Sequence, residues 1–435
     1  MHHFTKVSSA LIVSALAVNP VMAQQETATK IPEDEVILNA KPEELTSYAH
    51  QRIFDALFEP DGWHYEVQQA PRFLFVDKKG RVALGIGGML KGTLQYDFDG
   101  SVDGNGSFVP HDIPVPSDPE MRSGFDGTVN NSKLYMRLVG YQEKIGDYGM
   151  YIETEFSGGE SGNCFKLKQA WANIGRLRAG LATALFNDDD AAPFTVDEQG
   201  PAGGTCTDNV GIQWTPRFGK DKQWTVGIAV EVPQASYTLS DDTHKIAQRV
   251  PDIPAYVQYA WDGSDSRVRF SAILRNLAYR DLVTADNRTA TGWGVQLSGN
   301  IASIPNTTIF YQCMYGKGVA QYLNDLSDMD YDLIPSVDVA GKLTTPGSLG
   351  YFAGVQYDFS SKFFMSATYS QCRLYNQESL DQDAYRYGQY VAVNGVCEPV
   401  TGLQFGLEYL WGKRTDCNHT SNHANRIMLM AAYSF

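Results

Sequence analysis

The sequence predicts an all-β membrane protein: a transmembrane, 16-stranded, antiparallel up-and-down β-barrel preceded by a short N-terminal helix. Three observations lead to this fold class. The 435 residues include 24 Tyr, 21 Phe and 40 Gly, which are residues of strands and turns. From residue 81 onward, apolar side chains recur at every second position. The connections between these segments alternate between tight turns and long loops, which is typical of barrels whose strands expose only alternate residues to lipid.

The first 23 residues have the features of a secretory signal peptide. Lys6 supplies a positive charge, residues 7–18 form an apolar run, and residues 21–23 provide a small-residue cleavage site. The alternative interpretation is a short membrane anchor. It is less favoured, because a spanning helix needs about 17 apolar residues or more. We therefore expect export of the chain and removal of residues 1–23.

Residues 24–80 are expected to form a periplasmic linker with one short helix over about 43–58. A proline and two acidic residues at 42–44 open an apolar stripe of helical period, and Pro60-Asp61-Gly62 ends it. The predicted organisation is therefore a signal peptide, this linker with its helix, and a barrel over 81–435.

The barrel interpretation depends on sixteen alternating segments and on their connections. Tight connections, such as 174–175 and 360–361, alternate with long ones, such as 97–131 and 317–349. A soluble sandwich gives no reason for every long loop to lie at one end, whereas an outer-membrane barrel does, with both termini in the periplasm. The predicted strands are 81–96, 132–141, 147–156, 165–174, 176–185, 209–218, 223–231, 254–261, 266–279, 290–301, 306–316, 350–358, 362–375, 386–397, 401–412 and 424–435.

The final strand carries the clearest alternation. Ile427, Leu429, Ala431, Tyr433 and Phe435 take every second position. A barrel in lipid keeps no open edge, so this strand is expected to close against the first. The aromatic end, Tyr433 and Phe435 above all, also resembles the signal by which the barrel-assembly machinery recognises outer-membrane proteins. A buried last strand of a soluble domain is the less favoured alternative.

Several strands carry longer motifs. They are R-V-A-L-G-I-G-G-M-L-K-G-T-L-Q-Y-D-F for the first strand, N-S-K-L-Y-M-R-L for the second, F-K-L-K-Q-A-W for the fourth, and G-L-A-T-A-L-F-N-D-D-D-A-A-P-F-T-V-D-E-Q-G-P leading into the third long loop. Over about 81–215 these motifs resemble the trimeric general-porin family, and most of all its DcaP-like porins. The resemblance implies a homotrimer in the outer membrane, with the loop at about 185–208 folded into the barrel as a constriction.

Charged residues are expected to face the lumen wherever their apolar neighbours face lipid, because side chains alternate along a strand. The chain has a formal net charge of −15, yet many of its lysines and arginines fall on these inner positions. We predict that they form a basic ladder along one wall of the pore, although charges that are merely solvated would show the same pattern. The ladder comprises Lys91, Arg137, Lys166, Lys168, Arg178, Arg269, Arg275 and Arg426.

The loop at about 185–208 carries the opposing charges, namely Asp188, Asp189, Asp190, Asp197 and Glu198. If this loop constricts the pore, as the resemblance implies, acids facing bases create a transverse field that sets ion preference. The alternative is a solvated or calcium-binding surface loop, since hard cations favour clustered carboxylates. No other cofactor is expected.

The six cysteines lack the C-x-x-C spacing of zinc and thioredoxin sites, so we predict no metal centre from them. An exported chain can hold disulfides, and Cys164 and Cys206 fall in predicted loops on the same side. A disulfide between these two is one interpretation. The other cysteines mostly lie in strand patterns, where a small buried thiol is expected.

The resemblance implies a diffusion channel for small hydrophilic solutes. From the predicted charges at the constriction we expect anionic or zwitterionic metabolites, such as dicarboxylates, to pass preferentially. A sixteen-stranded barrel is wide enough to hold water. No G-x-S-x-G, Walker A or H-E-x-x-H motif occurs, and the acidic balance disfavours nucleic acid. The alternatives are a monomeric outer-membrane enzyme of lipase or protease type and a soluble secreted all-β binding protein. The expected partners are outer-membrane lipid, further copies of the chain, the barrel-assembly machinery and small anionic solutes.

Overall fold

The computed structural model describes residues 36–38, 73–77, 81–102, 104, 106–159, 164–220, 222–261 and 265–435. Strands dominate this part of the chain, because β-branched and aromatic residues at alternate positions favour a pleated sheet with two different faces. Within it, no helix is both long enough and apolar enough to cross a bilayer. The predicted signal peptide and the helix predicted over 43–58 lie outside the described residues.

Among the described residues, sixteen strands of one larger antiparallel sheet close into a barrel, so the predicted barrel is confirmed. Each strand pairs with its neighbours along the chain, and the last pairs with the first, with Leu429 opposite Leu94. Strands β1 to β16 are Val82–Phe98, Lys133–Gln142, Gly146–Gly158, Cys164–Ile174, Leu177–Thr183, Asp208–Trp214, Trp224–Glu231, Ile253–Trp261, Ser266–Asp281, Asp286–Ile304, Thr307–Lys317, Gly347–Ser360, Phe363–Tyr375, Tyr385–Val400, Leu403–Asp416 and Ser421–Ser434.

The two ends of the barrel differ in their connections. At the short-turn end, β10–β11 and β14–β15 are joined by two residues each. Asn306 and Gly402 in these turns have positive φ angles of 57° and 85°, which tight hairpin turns require. The long-loop end holds the extended connections, including 99–132 and 318–346. Both ends of the barrel sheet, the start of β1 and the end of β16, lie at the short-turn end.

The two faces of the sheet differ in chemistry. On β1, Leu90 and Leu94 are 60% and 50% exposed on the outer face, whereas Lys91 and Thr93 are 7% and 4% exposed on the inner face. The outer face therefore presents the apolar band that lipid requires. Exposed aromatic rings form a girdle near the short-turn end, as is common at a membrane–water interface. They are Trp214, Phe218, Trp224, Phe359, Phe363, Phe405 and Tyr433.

The main hydrophobic core lies inside the barrel. Parts of three long loops, 99–132, 184–207 and 318–346, pack against the inner wall of β9 to β16. Phe108 and Leu323 are fully buried there. These loops occupy one half of the lumen, so the inner wall of β1 to β5 is the more open side.

At the seam between β1 and β16, the sheet continues past the last residue. Gly88 and Phe435 exchange two backbone hydrogen bonds of 2.8 Å. Beyond them, the strand Phe73–Asp77 pairs with residues 83–86 of β1, and Val36–Leu38 pairs with Phe73–Asp77. The edge of β1 that β16 leaves uncovered is thereby paired.

Candidate functional site

The loop between β5 and β6, residues 184–207, crosses the lumen, and we call it the inner loop. On the far wall, Ser366 Oγ and Asn394 Nδ2 donate to the carbonyl oxygen of Phe194 at 2.9 and 2.8 Å. Buried backbone groups need such partners, and the inward polar side chains of β13 and β14 supply them. The inner loop is therefore fastened to the half of the barrel that the loops fill.

Asp197 anchors the inner loop. Its N–H and that of Val196 donate to the Glu408 carboxylate at 2.8 and 3.0 Å. Its own buried carboxylate accepts from the Phe108 N–H at 2.7 Å and from the Tyr390 hydroxyl at 2.9 Å. Burial and the nearby Glu408 carboxylate raise the pKa of Asp197 to about 7. The predicted role of Asp197 as a pore-facing acid is corrected, because loops and wall enclose its side chain.

Asp188 is a second anchor of the inner loop. Its carboxylate lies 2.8 Å from Arg267 and 3.7 Å from Arg269, and it accepts from Ser298 Oγ at 2.5 Å. Although burial opposes ionisation, the two guanidinium groups hold the pKa of Asp188 below its usual value. The prediction that Asp188 and Arg269 face each other across the pore is corrected, because they are direct neighbours in one buried cluster.

Two more residues of the predicted ladder are buried among loops. Arg275 pairs with Asp252 at 3.0 Å and with Asp332 at 2.9 Å, and these acids come from two different loops. Arg426 pairs with Asp97 of β1 at 2.5 Å and also donates to backbone carbonyls of the first long loop. Their predicted place along the open pore is corrected, since folded loops cover both guanidinium groups, and loop acids neutralise Arg275 while Asp97 of β1 neutralises Arg426.

The remaining ladder residues lie on the inner wall of β1 to β5, which we call the basic wall. Lys133 of β2 belongs to it as well. The Lys166 and Lys168 side chains are 56% and 27% exposed, in contrast to the fully buried Arg275. Arg137 and Arg178 are half-buried. The basic wall therefore keeps cations in contact with the open side of the lumen.

A β-bulge brings two lysines of β4 to one carboxylate. Glu155 pairs with Lys166 and Thr154 pairs with Leu167. Glu153, however, pairs with Gln169, so the pairing passes over Lys168, which is the extra residue of the bulge. Lys166 Nζ and Lys168 Nζ lie 3.5 and 3.6 Å from the two carboxylate oxygens of Glu155. Both ammonium groups therefore point into the lumen.

Glu198 links the inner loop to the basic wall. Its carboxylate lies 2.7 Å from Lys91 Nζ and 3.9 Å from Lys133 Nζ. Although burial opposes it, the ammonium groups of Lys91, Lys133 and Lys168 lower the pKa of Glu198 to about 2. The carboxylate is therefore charged at all physiological pH values, and the ion pair persists.

Other acids of this region share the passage with the basic wall. Asp189 and Asp190 are partly exposed on the inner loop, and Asp208 follows at the start of β6. Burial, and then the carboxylates of Asp208, Asp190 and Asp188, raise the pKa of Asp189 to about 7. Asp208 also interacts electrostatically with Lys168. Acids and bases therefore line one opening, with the bases in excess on the wall.

Stacked aromatic rings stabilise the basic wall. The ring centroids of Tyr135 and Tyr151 are 5.9 Å apart, and those of Tyr151 and Trp171 are 5.4 Å apart. The Arg178 guanidinium lies over the Trp171 ring at 4.0 Å, a cation–π contact that fixes its position. A Cβ atom on Gly87 would lie 2.4 Å from the Tyr135 hydroxyl, so the glycine leaves room for the first ring.

A cavity of about 160 Å³ lies beside the inner loop. Its lining includes Lys91, Lys133, Glu198, Cys206 and Gln404. Charged and amide groups of this kind can replace the water around a small polar solute.

A family model described as "DcaP outer membrane protein" matches residues 81–435. The chain belongs to this family. It is accordingly an outer-membrane protein with a porin-type barrel. The crystal structure of the outer membrane channel DcaP of Acinetobacter baumannii is 19% identical, with a TM-score of 0.70 over 82% of this chain and 99% of that chain. The anion-selective porin from Comamonas acidovorans is 10% identical, with a TM-score of 0.53 over 81% and 100%. A comparison with curated proteins gives no match.

All six cysteines of this DcaP-family chain are free thiols. Cys164 begins β4, whereas Cys206 lies near the end of the inner loop, where its N–H donates to the carbonyl oxygen of Tyr322 at 3.2 Å. The predicted disulfide between Cys164 and Cys206 is corrected, because the inner loop carries Cys206 into the lumen.

The carboxylates at the first turn of the inner loop are the candidate ligands of a metal ion. Among the described residues, no group of three or more His, Cys, Asp or Glu side chains is arranged to hold a metal ion. Arg267 lies 2.8 Å from Asp188 and 3.5 Å from Asp190. Calcium at these carboxylates stays a prediction.

The sequence did not single out two acids beside the opening, Glu155 and Asp208. Glu155 alternates with Thr154 and Phe156 on β3, so strict alternation alone places it on the inner face.

Tyr433 is exposed on the outer face and Phe435 is half-buried at the seam. Their role as an assembly signal stays a prediction.

Proposed function

We propose that this DcaP-family chain forms a water-filled channel for passive diffusion of small anionic or zwitterionic solutes across the outer membrane. The observation that carries the proposal is the asymmetry of the lumen. Loops fill the side of β9 to β16, whereas the basic wall of β1 to β5 keeps partly exposed cations beside the remaining opening. Solutes that pass there meet ammonium and guanidinium groups at close range.

The local charge balance favours anions. Four lysines meet at the inner loop, and we call Lys91, Lys133, Lys166 and Lys168 the lysine cluster. Ion pairs with Glu155 and Glu198 and the nearby Asp208 offset part of this positive charge, while Arg137 and Arg178 add two cations on the same wall. Charged side chains around a narrow opening set its ion preference. Diffusion requires no chemical step, and the proposal includes no enzymatic activity.

We further propose how the channel is placed in its membrane. The short-turn end faces the periplasm, the apolar outer face contacts lipid, and the barrel-assembly machinery inserts the chain.

Three copies assemble, as the resemblance to trimeric porins implies. Chemical cross-linking in detergent should stop at three subunits, and conductance in planar bilayers should appear in groups of three. Single, independent conductance steps would contradict the trimer but not the channel.

The reversal potential in a KCl gradient across a planar bilayer tests the ion preference. We expect the wild-type channel to prefer chloride, and Lys168→Glu to weaken or reverse that preference, because it places a carboxylate in the opening. Lys144→Glu is the matched control, since Lys144 is exposed in the turn after β2. A wild-type channel that prefers potassium, or an equal shift in both variants, would contradict the proposal.

Entry of larger anions needs a separate measurement. With potassium succinate as the only salt, succinate should carry current through the wild-type channel. Little or no current beyond that of potassium would limit the proposal to small inorganic anions.

A further inference from the structure

Glu155 faces the lysine cluster from within the wall. Resting on the proposed anion channel, we infer that Glu155 is a built-in counter-ion that sets how long a permeating carboxylate stays at the constriction. It is a specificity-determining residue that acts through Lys166 and Lys168.

The position of Glu155 is well defined. It is 4% exposed on the inner face of β3, and the Ser157 hydroxyl donates to its carboxylate. The bulge at Lys168 brings two ammonium groups to this carboxylate, one to each oxygen. A regular strand would have no extra residue at this place, so the local irregularity creates the arrangement.

The two ion pairs of Glu155 are loose. Their distances of 3.5 and 3.6 Å exceed the roughly 2.7–2.9 Å of a charge-assisted hydrogen bond. By contrast, Lys91 and Glu198 are 2.7 Å apart, which is a direct hydrogen bond. Each lysine ammonium has three donors, so Lys166 and Lys168 keep donors for a solute while they remain near Glu155.

This difference separates two roles for acids at the constriction. The tight pair of Glu198 fastens the inner loop, whereas the loose pairs of Glu155 can be exchanged. A solute carboxylate that reaches Lys166 and Lys168 takes the place of Glu155, and Glu155 takes that place back when the solute leaves. A channel conducts only if binding is strong enough for entry and weak enough for release. By competing for the two lysines, the Glu155 carboxylate speeds the release of the solute.

The experiment measures the residence time of succinate from transient blocks of the ion current through single channels. Glu155→Gln removes the competing charge, so we expect residence to lengthen roughly fivefold. Glu153→Gln is the matched control, because Glu153 lies on the same inner face, is 6% exposed and loses the same charge. Its effect should be smaller, since the Tyr151 hydroxyl donates to Glu153 at 2.5 Å and its neutralisation leaves the pairs of Lys166 and Lys168 with Glu155 in place.

A second variant separates position from net charge. Glu155→Asp keeps the charge but withdraws the carboxylate by one methylene, so succinate residence should lengthen to an intermediate value. If the Glu155→Gln variant fails to assemble, the Glu155→Asp variant still tests the inference.

Each outcome decides the inference. Equal lengthening in the Glu155 and Glu153 glutamine variants would reduce the effect to the overall field and overturn it. Wild-type residence in both Glu155 variants would overturn it too, while leaving the channel proposal intact if the wild type still prefers chloride. A wild type that prefers potassium would overturn both.

Discussion

Lys91 of β1 and Glu198 of the inner loop form an ion pair of 2.7 Å. Their side chains are 8% and 26% exposed, so the pair is only partly shielded from water. The same loop is fastened at Phe194 to the opposite wall. It is therefore held at both sides of the lumen, and the pair controls the side next to the basic wall.

Glu198→Gln should loosen the inner loop without detaching it. The amide replaces a charged hydrogen bond, which is worth about 2 kcal/mol. We expect a higher single-channel conductance and more open-channel noise. Glu120→Gln is the control, because Glu120 is exposed in the first long loop. An unchanged conductance in Glu198→Gln would show that the pair does not hold the loop.

Arg267→Gln should destabilise the attachment of the inner loop at its start. Arg267 is 4% exposed and lies 2.8 Å from Asp188, and loss of one partner from a buried ion pair costs about 3–5 kcal/mol. The temperature at which the gel mobility of the folded barrel shifts should fall. Arg122→Gln, at an exposed position, should leave it unchanged. Equal transition temperatures in the two variants would contradict this role.

Ion preference should depend on pH through Asp189. Burial and the neighbouring carboxylates raise its pKa to about 7, so it gains a proton as the pH falls from 8 to 6. Protonation removes a negative charge from the opening, and the reversal potential should therefore move toward stronger anion preference. Asp189→Asn should show the low-pH preference at both pH values. A full pH-dependent shift in this variant would assign the titration to another group.

Gly180 should be essential for the barrel wall. Its φ is +138°, and a Cβ atom there would lie 2.2 Å from the carbonyl oxygen of Ala170. Gly180→Ala should lower the yield of folded barrel and the temperature of its gel shift. Gly92→Ala is the control, because the nearest atom to its new methyl group lies at 3.7 Å. Normal folding of Gly180→Ala would contradict the steric argument.

The barrel could be predicted from the sequence because lipid imposes a strict rule on outward side chains. Every second residue must be apolar, and every strand must be paired. The bounds of the last strand were predicted to within three residues at its start and one at its end, with 424–435 predicted and Ser421–Ser434 observed. Its early residues, such as Asn422, lie beyond the apolar band, so alternation does not mark them.

The candidate site was predictable only in part. Alternation places Arg275 and Lys168 on the inner face alike, but it does not reveal which part of the lumen the loops cover. The partners of Arg275, Asp252 and Asp332, come from distant loops, and only the folded chain brings them together. The bulge at Lys168 also breaks the alternation, which the pattern F-K-L-K-Q-A-W does not show by itself.

The strand Phe73–Asp77 occupies the edge of β1 directly beyond Phe435, with Phe73 opposite Ile86. Any peptide fused after Phe435, such as an affinity tag, would run into this strand after one residue. It would have to displace the upstream segment or turn away from the sheet. Labels for imaging or purification therefore belong in an exposed connection at the long-loop end, such as residues 282–285 between β9 and β10, where insertion disturbs neither strand.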